Sequence, residues 1–249
     1  MHNPKKINTL LSRSNVEIFK GDLKNRDSLN NIFNNTYVLF FALPLSKDSI
    51  GYGKTLLQVA KESNLEHIIY SSVDGLYGYL KVDHFRYKKE IEDYLQNLDK
   101  HYTIIRPAGY MNEFAHPKSI KFITGLLKLF LPESKTFQLI ALKDIGAFTK
   151  LVFDNPSKYR FTEFEMAEDE LSLNELFEKI EKIKNIKMTP MKIPGFVKFI
   201  LPKIMKQMLE FYAGDGWNAH LKLLRKENPE LLSFEDWLRA TDIYDRYYT

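Results

Sequence analysis

Three apolar segments of strand length, Tyr37–Leu43, His67–Ser71 and Tyr102–Arg106, alternate along the first half of the chain with two segments of helical periodicity. This alternation constrains the fold more than any other feature. Tyr37–Leu43 is nearly all apolar and stops at Pro44, and His67–Ser71 closes on Ser72, the pattern of strands covered on both faces. Between them a helix runs from about Gly53 to Ser63, with Leu56, Leu57, Val59 and Ala60 on one side. Lys88–Leu98 follows with Ile91, Tyr94, Leu95 and Leu98 at i, i+3, i+4, i+7 spacing. Strands separated by helices of this length pair in parallel through right-handed crossovers, so the first half is α/β with helices on both faces of the sheet. Upstream, Val16–Phe19 reads as a short strand ended by Gly21-Asp22, and Asp27 or Ser28 as the cap of a helix through Leu29, Ile32 and Phe33.

The second half is mixed α+β. Helices are expected over Ile120–Leu131, from a cap at Asp144 through Val152, and over Asn174–Ile183 behind the capping box Ser172-x-x-Glu175. Phe161–Met166 reads as a strand, Ile193–Leu209 as a helix pair broken by proline, and Ser233-x-x-Asp236 as the cap of a last helix through Trp237. Residues 1–114, with 136–152 packed on them, are therefore expected to form the sheet domain, and 115–249 a smaller part that binds substrate or partner.

Composition narrows the chemistry. A chain of 249 residues with 44% hydrophobic and 27% charged residues buries a full core. Its net charge of +4 comes from 36 basic and 32 acidic residues mixed along the chain, without the basic arms that nucleic-acid binding would need. With no cysteine there is no disulfide, thiolate nucleophile or Cys-ligated zinc. Ile120–Leu131 and Ile193–Leu209 are interrupted by lysines and a proline and are too short to span a bilayer, so no membrane partner is expected. Without a recognisable signal peptide, the expected location is the cytoplasm.

Several motifs dissolve on inspection. Gly53-Lys54-Thr55 ends like a phosphate loop, but the pattern requires glycine where Asp48 stands. The six histidines never pair at i,i+3 or i,i+4, and a metal site is not expected. No G-x-S-x-G follows a strand, which argues against a serine hydrolase. Tyr77-x-x-x-Lys81 has the spacing that sets a phenol beside an ammonium, but Gly75 and Gly78 place it in a loop. Lys88 is better situated: it opens the helix after the Ser71-Ser72 strand end, where ligands of open α/β sheets bind, though a solvated first-turn lysine has the same pattern. Asp22 has a carboxylate suited to an adenine amine, or simply to a turn. Arg106-Pro-Ala-Gly-Tyr-Met-Asn112 leaves a strand at the same edge, as a substrate mouth or a plain strand exit.

Taken in order, several of these segments resemble the NmrA-like family of atypical short-chain dehydrogenase/reductase proteins. They are Asn3-Pro4-Lys5, Gly21-Asp22-Leu23, Ala42-Leu43-Pro44, Tyr70-Ser71-Ser72, His84-x-x-x-Lys88 and Arg106 to Asn112. The likeness continues through Asp144-Ile-Gly-Ala-Phe148, Gly214 to Leu221 and Pro229 to Leu238, where it is greatest to the NADPH-sensing branch. The resemblance implies a Rossmann-like sheet and an NADP(H) cofactor. Asp22 would then face the adenine, and Ala42, Leu43 and Pro44 would run beside the ribose and diphosphate. Ser71, Ser72 and Lys88 would approach the nicotinamide ribose, with Lys88 assisting proton transfer in reductase members. Tyr110 and Asn112 would border the substrate. His2 stands where the family places an arginine for the 2′-phosphate, with Lys5 as a substitute cation.

The sequence departs from the family in one respect. No G-x-G-x-x-G or G-x-x-G-x-x-G precedes the sheet, as though one strand–glycine-turn–helix–strand unit of roughly 30 residues were missing. Tyr37–Leu43 would then be an apolar sheet edge unless Val16–Phe19 pairs with it. Loss of two or three charge-assisted hydrogen bonds to the pyrophosphate, each worth about 1.5–3 kcal/mol, would weaken cofactor binding by orders of magnitude. Three functions are consistent with the sequence: an NAD(P)(H)-binding redox-sensing regulator acting through a protein partner, an NAD(P)H-dependent reductase of a small carbonyl or quinone, and an interaction module that binds no cofactor.

Overall fold

The computed structural model describes residues 15–241 except 30, 45, 77–80 and 116, and the side chains of 117–119 also lie outside the description. The first sheet has four parallel strands in the order β1 (Val38–Ala42), β2 (His67–Ser71), β3 (His101–Pro107) and β6 (Thr162–Met166). Helices α1 (Ser49–Glu62) and α2 (Asp83–Gln96) make the crossovers, and Leu56, Leu57, Ile91 and Leu95 press on Ile68, Tyr70 and Ile104. α4 (Leu142–Asp154) brings Ile145, Phe148 and Val152 to Ile69, Ile105 and Met166, and the four-residue α5 (Pro156–Tyr159) adds Tyr159 there. The sheet thus carries two separate apolar layers, as the near-continuous apolar strands require. Gly53 in α1 lets that helix approach α2, since a Cβ there would sit 3.0 Å from Ile91. The glycine serves helix packing, and no phosphate loop is built on it.

A smaller mixed sheet follows, ordered β4 (Gly109–Tyr110), β5 (Thr136–Ile140), β7 (Asp169–Ser172), parallel between the first two and antiparallel between the last two. Around it pack α3 (Pro117–Phe130), α6 (Leu173–Lys184), α7 (Val197–Ile200), α8 (Lys203–Ala213), α9 (Leu221–Glu227) and α10 (Phe234–Ala240). The capping box is formed, with the Ser172 hydroxyl accepting from Glu175 N–H and the Glu175 carboxylate accepting from Ser172 N–H. Ser233 likewise caps α10.

Several sequence expectations need correction. Val16–Phe19 forms no strand and leaves Ile18 and Phe19 exposed. The helix expected behind Asp27 or Ser28 is a single 3-10 turn, Arg26–Leu29, because Ser28 uses its hydroxyl to close the Asp22–Asn25 loop. β1 is the edge of the described sheet, with Phe40 exposed: the apolar edge expected if Val16–Phe19 did not pair is present, and the reading of a strand covered on both faces is not. Asp144 lies inside the first turn of α4, and its carboxylate accepts instead from the backbone N–H of Leu232. β4, β5 and β7 were not anticipated, being two to five residues long and closed by pairing between distant segments.

Candidate functional site

Past Ser71 the β2–β3 ladder continues through Ser72 N–H to Ile105 O and Asp74 N–H to Pro107 O. The chain therefore leaves the sheet stiffly, with Ser72 and Asp74 buried at its carboxyl end. α2 begins at Asp83 and points the Lys88 side chain back at that end. The Lys88 ammonium donates to the carbonyl oxygens of Ser71 at 3.0 Å and Ser72 at 3.1 Å, and lies 5.6 Å from the centre of the Tyr70 ring. Two carbonyl dipoles and an aromatic face hold the cation where no carboxylate touches it. Burial of the ammonium lowers its pKa to about 8, with Glu92 pulling the other way. At neutral pH Lys88 is thus a cation close to its own titration, the condition for a proton donor.

Around this anchor are buried polar groups with few or no protein partners. His84 Nδ1 and Trp217 Nε1 are buried without a hydrogen bond, Asp74 Oδ2 makes no close one, and the Tyr70 hydroxyl and Ser72 Oγ have only a loose contact with each other. Asp74 is pushed up to about 6 by burial, against the Gly75 N–H that its other oxygen accepts. His84 is lowered to about 4, first by burial and then by the Lys88 charge, and is neutral at physiological pH. A buried polar group without a partner costs about 1–3 kcal/mol, so such groups gathered at one strand end make this crevice the candidate ligand site.

A cavity of about 230 Å³ opens beside Lys88, bounded by Ser72, Val73, His84, Pro107, Ala108, Gly109, Tyr110, Glu113, Met208, Tyr212 and Trp217. It adjoins an apolar cavity of about 150 Å³ between α3, α8 and β5, with Gly109, Glu113, Met208 and Tyr212 common to both. Gly109 permits this, since a Cβ there would sit 2.8 Å from the Trp217 ring. Glu113 stands between the two spaces with no cation partner among the described residues. The surrounding walls raise its carboxyl pKa, and its charge adds to burial in raising the phenols of Tyr110 and Tyr212.

The other sequence-identified positions are more dispersed. Ala42 pairs with Ser71 in register, so Ala42, Leu43 and Pro44 leave the sheet at the same carboxyl edge, and Pro44 O accepts the Ser49 hydroxyl at the start of α1. Asp22 is exposed, and its carboxylate accepts from Lys24 N–H within its own turn. Tyr110 lines the Lys88 cavity, whereas Asn112 is exposed and accepts from Leu142 N–H at the start of α4. His2, Lys5 and Tyr77 lie outside the described residues. Arg106 is enclosed by Glu92, with Nε at 3.1 Å and Nη2 at 2.7 Å, and by Glu163 at 2.5 Å. It is a clamp behind the site, not a lining residue. Glu113, Tyr212 and Trp217 were missed by the sequence reading, because their convergence depends on the second sheet and α8. No group of three metal-ligating side chains occurs among the described residues, and no described helix is long and apolar enough to cross a membrane.

A parallel sheet with helices on both faces, and a polar crevice at its carboxyl edge, define a Rossmann-type protein. The NmrA-like family model matches residues 1–220, and the chain belongs to that family. Its fold is similar to that of an NADPH-dependent quinone oxidoreductase from Escherichia coli solved with NADPH, with 15% identity over 96% of this chain and 87% of that one, at a TM-score of 0.76. A Citrobacter sp. triphenylmethane reductase complexed with NADP(H) has 14% identity, the same coverages and a TM-score of 0.76. The negative transcriptional regulator NmrA in complex with NADP has 20% identity over 93% of this chain and 82% of that one, at a TM-score of 0.71.

Proposed function

We propose that the chain is an NAD(P)(H)-binding protein that holds the nicotinamide end of the dinucleotide at Ser71, Ser72 and Lys88. In this reading it reduces a small, mostly apolar acceptor, such as a carbonyl or quinone, in the adjoining cavity. The observation that carries this reading is the Lys88 ammonium, fixed by two strand-end carbonyls at the mouth of a cavity that Ser72 and the unpartnered His84 Nδ1 and Trp217 Nε1 also border. Those groups fit a ribose, whose hydroxyls offer donors and acceptors to a cation and a serine. When bound, the nicotinamide supplies or accepts a hydride. Lys88 orients the ribose and holds the proton that a reduced acceptor oxygen takes up, while Tyr110, Tyr212 and Trp217 exclude water and Pro107 and Gly109 floor the cavity.

On the adenosine side, Asp22 and the Ala42–Pro44 strand end are proposed to flank adenine, ribose and diphosphate. The sequence holds no glycine-rich turn for the pyrophosphate.

A second reading, a regulator that senses cofactor redox state without turnover, is favoured by one feature. Lys88 has no hydroxyl acid hydrogen-bonded to it among the described residues. NADPH titration followed by nicotinamide fluorescence and melting temperature, then NADPH oxidation with a quinone acceptor, separates the readings. Turnover that falls at least about 10²-fold in Lys88→Ala, and declines above pH about 8 as the ammonium is lost, is the expected result for a reductase. Binding with unequal stabilisation by NADPH and NADP⁺ but no turnover would leave the regulator. A folded chain that binds neither form would end both.

A further inference from the structure

Outside the crevice, one stretch of chain departs from the rest in both charge and exposure. Between Glu181 and Glu210 there is no acidic residue, while lysine stands at 182, 184, 187, 192, 198, 203 and 206. The even mixing of charge expected from composition fails here. Ile193, Val197 and Leu201 anchor this stretch on the core of the second half. The opposite side is also apolar: Phe199 is 85% exposed, Ile200 70% and Phe196 62%. Three large apolar side chains within five residues, on α7 and its N-cap, are not the scattered surface hydrophobics of an ordinary monomer.

Lysines flank this tip along the chain and on the neighbouring α3. Lys198 lies 5.0 Å from the Phe130 ring, and Lys128 and Lys192 face a shallow pocket between α3 and the 189–193 segment. Lys128, Lys187, Lys192 and Lys198 have no carboxylate partner among the described residues, whereas Lys203 and Lys206 reach Asp83 and Glu210.

We propose that the Phe196–Ile200 tip and its lysine border dock the protein peripherally on an anionic lipid bilayer. The apolar side chains enter the headgroup–acyl boundary while the lysines meet lipid phosphates. A second copy of the chain fits less well, because a two-fold contact would set each lysine border against its own image. The absence of a spanning segment bears only on crossing a membrane and leaves lying on one open. α8 begins just past the tip, and its Met205, Met208 and Leu209 wall the apolar cavity. If the reductase reading holds, a lipophilic acceptor would pass from the acyl layer toward that cavity. This last step rests on the proposed function; the docking does not.

The test is co-sedimentation of the full chain with vesicles of phosphatidylcholine alone and of phosphatidylcholine and phosphatidylglycerol in equal parts, across a salt series and without cofactor. Binding to the anionic vesicles only, weakened by salt and reduced about tenfold or more in Phe199→Ser/Ile200→Ser, is expected. An unchanged melting temperature would show that the variant is folded. Lys192→Ala/Lys198→Ala should flatten the salt dependence. Absence of vesicle binding overturns the proposal, as does binding that Phe199→Ser/Ile200→Ser leaves unchanged, which would be adsorption of charge alone. A lipid-free dimer that the same variant dissociates would reassign the face to a second copy. The assay uses neither cofactor nor turnover, so its outcome and that of the NADPH titration fail independently.

Discussion

At the residue scale, the carboxyl edge of the sheet holds two cations with opposite tasks. Lys88 is left to backbone carbonyls, half-buried and easily deprotonated, beside unpartnered polar groups. Arg106, eighteen residues on, is saturated: the Glu92 carboxylate takes a two-point contact and Glu163 a third, and the arginine and Glu92 side chains are almost fully enclosed. Removing one member of such a pair strands a buried charge, which typically costs about 3–5 kcal/mol. Arg106→Met is therefore expected to lower the unfolding free energy measured in urea by that margin, whereas Lys88→Met, which frees only two carbonyls at a cavity mouth, should cost less than about 1.5 kcal/mol. Equal losses in the two variants would contradict this division between clamp and site. The sequence placed Lys88 at the right strand end, since a helix start after a buried strand is a local pattern. It could not show which basic residue would be neutralised, because Glu92 and Glu163 come from different elements.

At the element scale, the second half is held by close backbone approach as much as by side chains. Gly125 sits in the middle of α3, where alanine would ordinarily add about 0.5–1 kcal/mol of helix stability. Here a Cβ would run into the Met191 carbonyl oxygen, and Met191 N–H in turn donates to Lys121 O at 2.8 Å. Overpacking against a backbone that cannot move costs about 1–3 kcal/mol. Gly125→Ala is thus expected to destabilise by about 1–2 kcal/mol net, seen as a lower midpoint in urea; a stabilised variant would show that the 189–193 segment yields freely. The long apolar strands, the capping box at Ser172 and the proline break in Ile193–Leu209 were readable because each is carried by neighbours in sequence. The 16–19 segment differs for a related reason: four residues of strand composition form no strand where none of the described residues pairs with them.

At the scale of the whole molecule, the two halves share one core. Phe85 of α2 meets Phe211 of α8 edge-on at 4.9 Å, and Leu76, Val82, Ala108 and Trp217 surround the pair. Gly75, with φ of +80°, packs so tightly on Phe211 that a Cβ would sit 2.7 Å from its ring. The chain should therefore unfold in one cooperative step. Phe211→Ala empties the centre of that junction and is expected to cost about 3–5 kcal/mol. It should also separate the transitions seen by near-ultraviolet and far-ultraviolet circular dichroism. Coincident transitions in the variant would show that the halves are coupled elsewhere. The same junction builds the site, because β4, α8 and Trp217 wall the cavity into which Lys88 points.

What the sequence by itself determined was the parallel α/β half, its carboxyl edge and the family, because hydrophobic period, strand–helix alternation and short ordered motifs are local properties of the chain. The tertiary structure alone decided that Glu113, Tyr212 and Trp217 share a cavity with Lys88, that Arg106 is a clamp, and that Phe199 stands in solvent. Each depends on which distant surfaces meet, and burial and charge pairing are fixed by those meetings, which sequence periodicity does not encode.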